Sequence, residues 1–251
     1  MADLSHPLAE RLLQLMDQKD HWAYPHLRGP GLQRDQHLQH FKHEYLVYVR
    51  DFPVLLGRAL GQVPHVPNVR HALAENIYEE QTGGLSQSAA HPELFLKMMR
   101  GMGFKDEQFV DDDKWLHPRA REYREFLISA SSEAPWQAAV ALLTIFLEGS
   151  VNERKELAGT FKRSYTEEAI REHALVKHYG CPVEAMELVR AHAKVEGGHR
   201  SDAWEMVLGN ITSSSIETKV FETCQKGLVM WHRYRDGVAE RMGLRPNAQA
   251  A

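Results

Sequence analysis

The segment His192-Ala-Lys-Val-Glu196-Gly-Gly-His199 sets two imidazoles and a carboxylate at offsets of four and seven residues. In a helix, at about 100° per residue, those offsets place His192, Glu196 and His199 within roughly 60° on one face. Such a stripe can converge on one cation or on a pair. Nitrogen and oxygen donors together suit iron, manganese or zinc rather than calcium or a soft-metal site. Taken alone, the stripe is equally compatible with a solvated polar face, so the metal reading depends on matching donors elsewhere in the chain. Gly197 and Gly198 separate the last two donors. Each costs a helix interior about 1 kcal/mol relative to alanine, so this turn is intrinsically weak.

The elements that must position these donors read almost entirely as helix. Ser5 is placed to cap a helix over about Pro7 to Gln18, with Leu12, Leu13 and Met16 inward. After the Arg28-Gly-Pro-Gly31 turn, a long helix is predicted from about Arg34 to Leu60, kinked at Pro53, with Tyr45, Tyr48, Phe52 and Leu55 facing the core. Further helices are predicted at about Val69–Gln81, stopped by Gly83-Gly84, and at His91 to about Gly101. Others follow at about Pro118–Ser129, Pro135–Phe161, from the Thr166 cap to Gly180, from Pro182 through the opening segment, and about Ser215–Met242. No period-2 strand run, hairpin turn or phosphate loop is present. Short connections between long helices predict one all-α bundle of about seven or eight helices over residues 1–244, with 245–251 a disordered tail.

Composition narrows the function. The 251 residues are 43% apolar and 25% charged, ample for one large core. A net charge of −4 without a basic block argues against nucleic acid or an anionic membrane as partner. The N-terminus is no signal peptide, and the longest apolar run, Ala138 to Leu147, is too short to span a bilayer. Cys181 and Cys224 fall in no redox or metal spacing, which fits a reducing, cytoplasmic setting.

Three other helices offer donors. Glu80 follows the apolar stripe Leu73 and Ile77, and Glu148 ends the run beginning at Ala138 and shares a face with Ala141 and Ile145. A carboxylate following such a stripe points inward, which is costly unless it is paired or binds a cation. Glu79 lies on a different face, behind the donors or in solvent, and His91 opens its helix. Each alone reads more simply as a surface group. Jointly, carboxylates and histidines on facing helices are how dinuclear iron sites are built in bundle cores.

Asn76-Ile-Tyr-Glu-Glu80-Gln-Thr-Gly83, His91-Pro-Glu-Leu, Leu147-Glu148 and His192-x3-Glu196-x2-His199 resemble the haem-oxygenase-like diiron oxidases and oxygenases. These share a fold with thiaminase-II-type proteins and with pyrroloquinoline-quinone biosynthesis protein C. The resemblance spans about Tyr24 to Leu208. It implies a haem-oxygenase-like bundle and six ligands, at Glu80, His91, Glu148, His192, Glu196 and His199. It further implies two iron ions cycling between Fe(II) and Fe(III), O2 as co-substrate, an external reductant and a small-molecule substrate, and it is compatible with a homodimer. The Glu80-to-His91 interval is longer than in some members, and Glu196 stands where several have aspartate. Tyr24, Tyr45 and Glu79 are candidates for substrate contact or for supporting the ligands. Tyr24 lies where an aminobenzoate-forming branch has a functional tyrosine. Leu147 replaces an aromatic residue of that branch, and Ala158 falls near its lysine, so the branch is not assigned.

The reading is therefore an O2-activating oxidase or oxygenase acting on a small metabolite, amino-acid-derived or carboxylate-bearing. Arg50, Lys97 and Arg154 are candidates to meet a carboxylate, though solvated charge is the simpler reading of each. The alternatives are a metal-free oxidase or cofactor-binding protein like pyrroloquinoline-quinone biosynthesis protein C, and a non-catalytic interaction protein of the same fold. A thiaminase-like hydrolase is weaker, because neither cysteine has an evident base beside it.

Overall fold

The computed structural model describes residues 4–110, 114–161 and 166–246, and the side chains of residues 196–199 lie outside the described set. All regular structure among these residues is helical. Thirteen α-helices follow in order: α1 (Pro7–Asp17), α2 (Tyr24–Arg28), α3 (Arg34–Glu44), α4 (Phe52–Gln62), α5 (Pro67–Thr82), α6 (His91–Gly101), α7 (Pro118–Glu133), α8 (Trp136–Val140), α9 (Glu153–Leu157), α10 (Glu167–Arg171), α11 (Ala174–Tyr179), α12 (Glu187–Leu208) and α13 (Ser214–Arg241). No helix among them is long and apolar enough to cross a membrane.

The count exceeds seven or eight because three of the nine predicted helical spans are broken and α2 is an additional short helix. The 34–60 span passes from α3 into a π-helical turn, Tyr45–Val49, and restarts as α4. Pro53 sits in the first turn of α4, where its missing N–H is harmless, so it starts a helix rather than kinking one. The 135–161 span becomes α8, a π-helical stretch Ala141–Leu147, and α9 beyond the break at Gly149. The span ending at Gly180 divides at His173, whose side chain accepts from the Leu175 N–H and caps α11. Likewise His6, not Ser5, caps α1 by accepting from the Leu8 N–H. Pro182 precedes a short 3-10 turn, Val183–Ala185, and α12 begins only at Glu187.

α13 lies along α7, α8 and α1, while α4 packs on α5 and α7. Between them the run Ala138 to Phe146 is completely enclosed. Each leucine buried there, Leu142 and Leu143, contributes about 1.5–3 kcal/mol of burial. Across the bundle α12 packs on α5, α6 and the Ala141–Leu147 stretch, and α5 packs on α6. These are the four elements on which the sequence places its donors.

His43 gives the fold a dependence on pH. Its Nδ1 faces the Gln39 carbonyl at 2.6 Å, and its Nε2 accepts from the His117 N–H at 3.1 Å. That pairing fixes the neutral tautomer with the proton on Nδ1. Burial depresses the His43 pKa to about 4. Between that value and the unfolded value the denatured chain binds the extra proton and the native chain does not, so stability falls as pH falls. From about pH 7 to about pH 5, wild type is expected to lose about 2 kcal/mol more than His43→Gln, which keeps one donor and one acceptor but cannot titrate. Urea denaturation at the two pH values checks this, and parallel losses would exclude His43 as the source.

Candidate metal centre

α5 ends in the consecutive pair Glu79 and Glu80, and α6 begins with His91. Both carboxylates converge on that imidazole. Glu80 Oε1 lies 2.9 Å from His91 Nδ1, and Glu79 Oε1 lies 3.0 Å from Nε2. The Glu79 contact is a hydrogen bond, whereas the Glu80 contact lacks hydrogen-bond alignment and leaves the buried Nδ1 without a partner. Two acceptor atoms side by side with no proton aligned between them are suited to a shared cation. His192, from α12, completes the cluster. Its ring centre is 4.9 Å from that of His91, and one donor atom from each of Glu80, His91 and His192 lies within 4.8 Å of the others. Burial lowers the His91 pKa, but the Glu80 and Glu79 carboxylates more than offset this and raise it above the ordinary histidine value. The site thus favours positive charge at its centre.

The loop between Glu80 and His91 accounts for their long separation. Leu85 and Ser86 donate their N–H groups to Glu79 Oε2 at 2.8 and 2.9 Å. Gly83 turns the chain at φ +65°, and a Cβ there would lie 2.3 Å from the Ala89 carbonyl oxygen. Glu79 is fully buried. Burial alone would raise its pKa, but hydrogen bonds from Ser86 and His91 outweigh this and hold the carboxyl below its ordinary range. A carboxylate that accepts a hydrogen bond from Nε2–H fixes the proton there and leaves the Nδ1 lone pair for a metal. Glutamine at position 79 would present its amide nitrogen either to His91 Nε2–H or to two backbone N–H groups. Glu79→Gln is therefore expected to weaken iron binding by about 10–100-fold, as read by anaerobic Fe(II) titration. Affinity within twofold of wild type would remove Glu79 from this role.

Glu148 follows the Ala141–Leu147 π-helical stretch and borders the same cavity of about 130 Å³ as Glu80, His91 and His192. Asn76, one turn before Glu80 on α5, donates to Glu148 Oε1 at 3.0 Å. Glu148 is more exposed than its apolar run predicts, because it faces the open cavity, and it stands outside the tight three-residue cluster. Glu196 and His199 lie on α12, but their side chains fall outside the described residues. Leu147, Val49, Phe52 and Leu188 wall a second, more apolar cavity of about 210 Å³ against the same donors. Both π-helical segments contribute to that wall; the extra residue per turn is a common device beside functional sites.

Tyr24 borders a third cavity, one that His192 also lines. Tyr45 is not at the donors: it packs in the core, stacked on Phe95 at 5.5 Å and edge-on to Phe109 at 5.8 Å. Arg50, Lys97 and Arg154 are paired with Asp51, Glu187 and Glu10. Several groups at the site carry no sequence signal. Glu153, 1% exposed, accepts from Trp204 Nε1 at 2.9 Å and pairs with Arg200 at 2.6 Å, tying α9 to the donor helix α12. Its surroundings, Glu153-Arg-Lys-Glu156, read as solvated charge. Asn76 could have been found, since it lies four residues before Glu80 on the same helical face. Burial pushes the thiols of Cys181 and Cys224 up to about 11 and about 12, far from the activation a nucleophile needs.

The chain belongs to the family of iron-containing redox enzymes, which matches residues 39–232. Comparison with curated proteins yields no match. Among solved structures, a TenA homologue from Pseudomonas syringae pv. tomato str. DC3000 superposes with a TM-score of 0.68 at 16% identity, covering 96% of this chain and 98% of that one. At that identity the likeness speaks for the fold.

Proposed function

We propose that this protein is a non-haem diiron oxidoreductase that uses O2 to oxidise a small organic metabolite. The observation that carries this reading is the convergence of Glu80, His91 and His192 donor atoms within 4.8 Å at a cavity that Glu148 also borders. Mixed imidazole and carboxylate donors fit iron, and Glu79 already holds His91 in the tautomer a metal requires. Glu148, Glu196 and His199 would extend the set to two ions. Iron held there supplies O2 binding and one-electron redox chemistry, with electrons from an external reductant. The chain's own groups do the rest. Asn76 orients Glu148, the Glu153–Arg200 pair secures α12, and Leu147, Val49 and Phe52 place apolar surface beside the donors. The reaction thereby takes place in a partly desolvated setting.

Anaerobic titration of the chelator-treated protein with Fe(II) tests the reading. Binding is expected to saturate at about two ions per chain, and admission of O2 should give a transient visible absorption band. Saturation at zero or one ion would overturn it.

A further inference from the structure

His192 also borders a chamber of about 530 Å³ whose lining does not include Glu80, His91 or Glu148. Its volume falls in the range of small-molecule sites. Leu27, Phe41, Met98, Leu188 and Val189 give it an apolar lining, and His192 forms part of its wall. Leu188 and His192 also border the apolar cavity at the donors, so they form the partition between chamber and metal centre.

Two polar side chains in this lining have unusual surroundings. His37 is 2% exposed, yet neither ring nitrogen has a hydrogen-bond partner among the described residues. Its ring lies edge-on to Tyr179 at 4.2 Å and stacked toward Phe41 at 5.9 Å. A buried polar group left unpaired is costly, and a ligand atom would relieve that cost. The second is Arg28, which is exposed and rests over the Tyr24 ring at 5.3 Å with no ion pair among the described residues. The chamber's other charges are cancelled. Glu172 is paired with Lys177. His37, His40 and His173 have pKa values depressed by burial and are uncharged near neutrality. The chamber therefore presents one unbalanced positive charge.

We propose that this chamber is the substrate site and takes a monoanionic organic molecule with an apolar body. Its anionic group lies against Arg28, a hydrogen-bonding atom along its length meets His37, and its reacting end lies at His192. The assignment rests on the diiron reading for its reaction, but not for its binding.

The test uses the full chain, as purified and after chelation. The probes are 8-anilinonaphthalene-1-sulfonate, a monoanion, and N-phenyl-1-naphthylamine, its uncharged counterpart, both followed by fluorescence. Each is expected to bind once per chain, and Val189→Trp, which fills the chamber, should abolish both. Arg28→Gln should weaken the sulfonate about tenfold, the effect of losing a charge-assisted contact. The same change should alter the uncharged probe by less than about twofold. The His37 ring 15N resonances, assigned with His37→Phe, should shift when the sulfonate is added, a readout that stands even if Val189→Trp fails to fold. Arg28→Gln acting equally on both probes or on neither, sulfonate binding that survives a folded Val189→Trp, or unmoved His37 resonances would each overturn the proposal. Iron stoichiometry is measured separately. Failed iron loading with the expected probe results overturns the diiron reading and leaves an organic-anion site. Two bound irons with failed probe results overturn the chamber alone.

Discussion

Glu148→Gln is expected to keep the fold and to lose iron, with affinity falling by more than about 100-fold, or about 3 kcal/mol. Glutamine preserves the shape and still offers an oxygen to Asn76 Nδ2, which now donates to Glu148 Oε1 at 3.0 Å. What disappears is the negative charge beside the cluster of Glu80, His91 and His192. Groups that merely support a ligand cost about 10–100-fold when changed, so a residue that binds the metal itself should exceed that range. Stability should hardly move, because Glu148 faces the open cavity rather than a sealed core. A melting temperature within about 2 °C of wild type fits a substitution away from the packed interior. Iron content after anaerobic loading is the measurement. Two ions retained at wild-type affinity would show that Glu148 is not a ligand, whatever its place in the cavity.

The residues of the site were more legible in the sequence than the way they are held. Glu80, His91 and His192 could be picked out because donors on several helices recur jointly and match the positions the family resemblance implies, and the structure brings these three together. The all-helical architecture was legible because periodicity and the lack of strand runs are written along the chain. The breaks were not. A π-helical turn adds one residue per turn and leaves no compositional mark, so Tyr45–Val49 and Ala141–Leu147 read as ordinary helix. Tyr45, read both as a core residue of this helix and as a candidate beside the donors, packs in the core against Phe95 and Phe109. Glu79 was legible as a carboxylate but not as the partner of His91, because that role depends on backbone N–H groups of the intervening loop. His37 gave no signal because its lack of partners is a property of the packed state alone.

Lys19 is the strongest case of support invisible in the sequence, and its removal should be the most damaging single change to stability considered. It follows α1, 127 residues from the segment it serves. Its ammonium donates to the carbonyl oxygens of Phe146, Leu147 and Gly149 at 2.5, 2.9 and 2.7 Å. These carbonyls flank Glu148, where the π-helical stretch ends and carbonyls lose their helical partners. A cation there also complements the negative end of the helix dipole. Lys19 is 9% exposed and lies 4.9 Å from the centre of the Phe146 ring, so little water is at hand to replace it. Lys19→Met keeps most of the side-chain volume and deletes all three donors. Leaving buried carbonyls unpaired costs about 1–3 kcal/mol each. Allowing for relaxation, the loss should be about 3 kcal/mol or more, and a melting temperature lower by roughly 6–12 °C follows for a chain of this size. Iron affinity should fall as well, by about 10–100-fold, because the backbone presenting Glu148 is no longer fixed. Lys19→Arg should recover only part of either loss, since a planar guanidinium cannot direct its protons at three carbonyls as an ammonium does. Thermal melts and Fe(II) titrations on the three proteins decide the matter. A Lys19→Met protein that melts within about 1 °C of wild type would mean that these carbonyls find water, and that Lys19 neither secures the bundle nor positions Glu148.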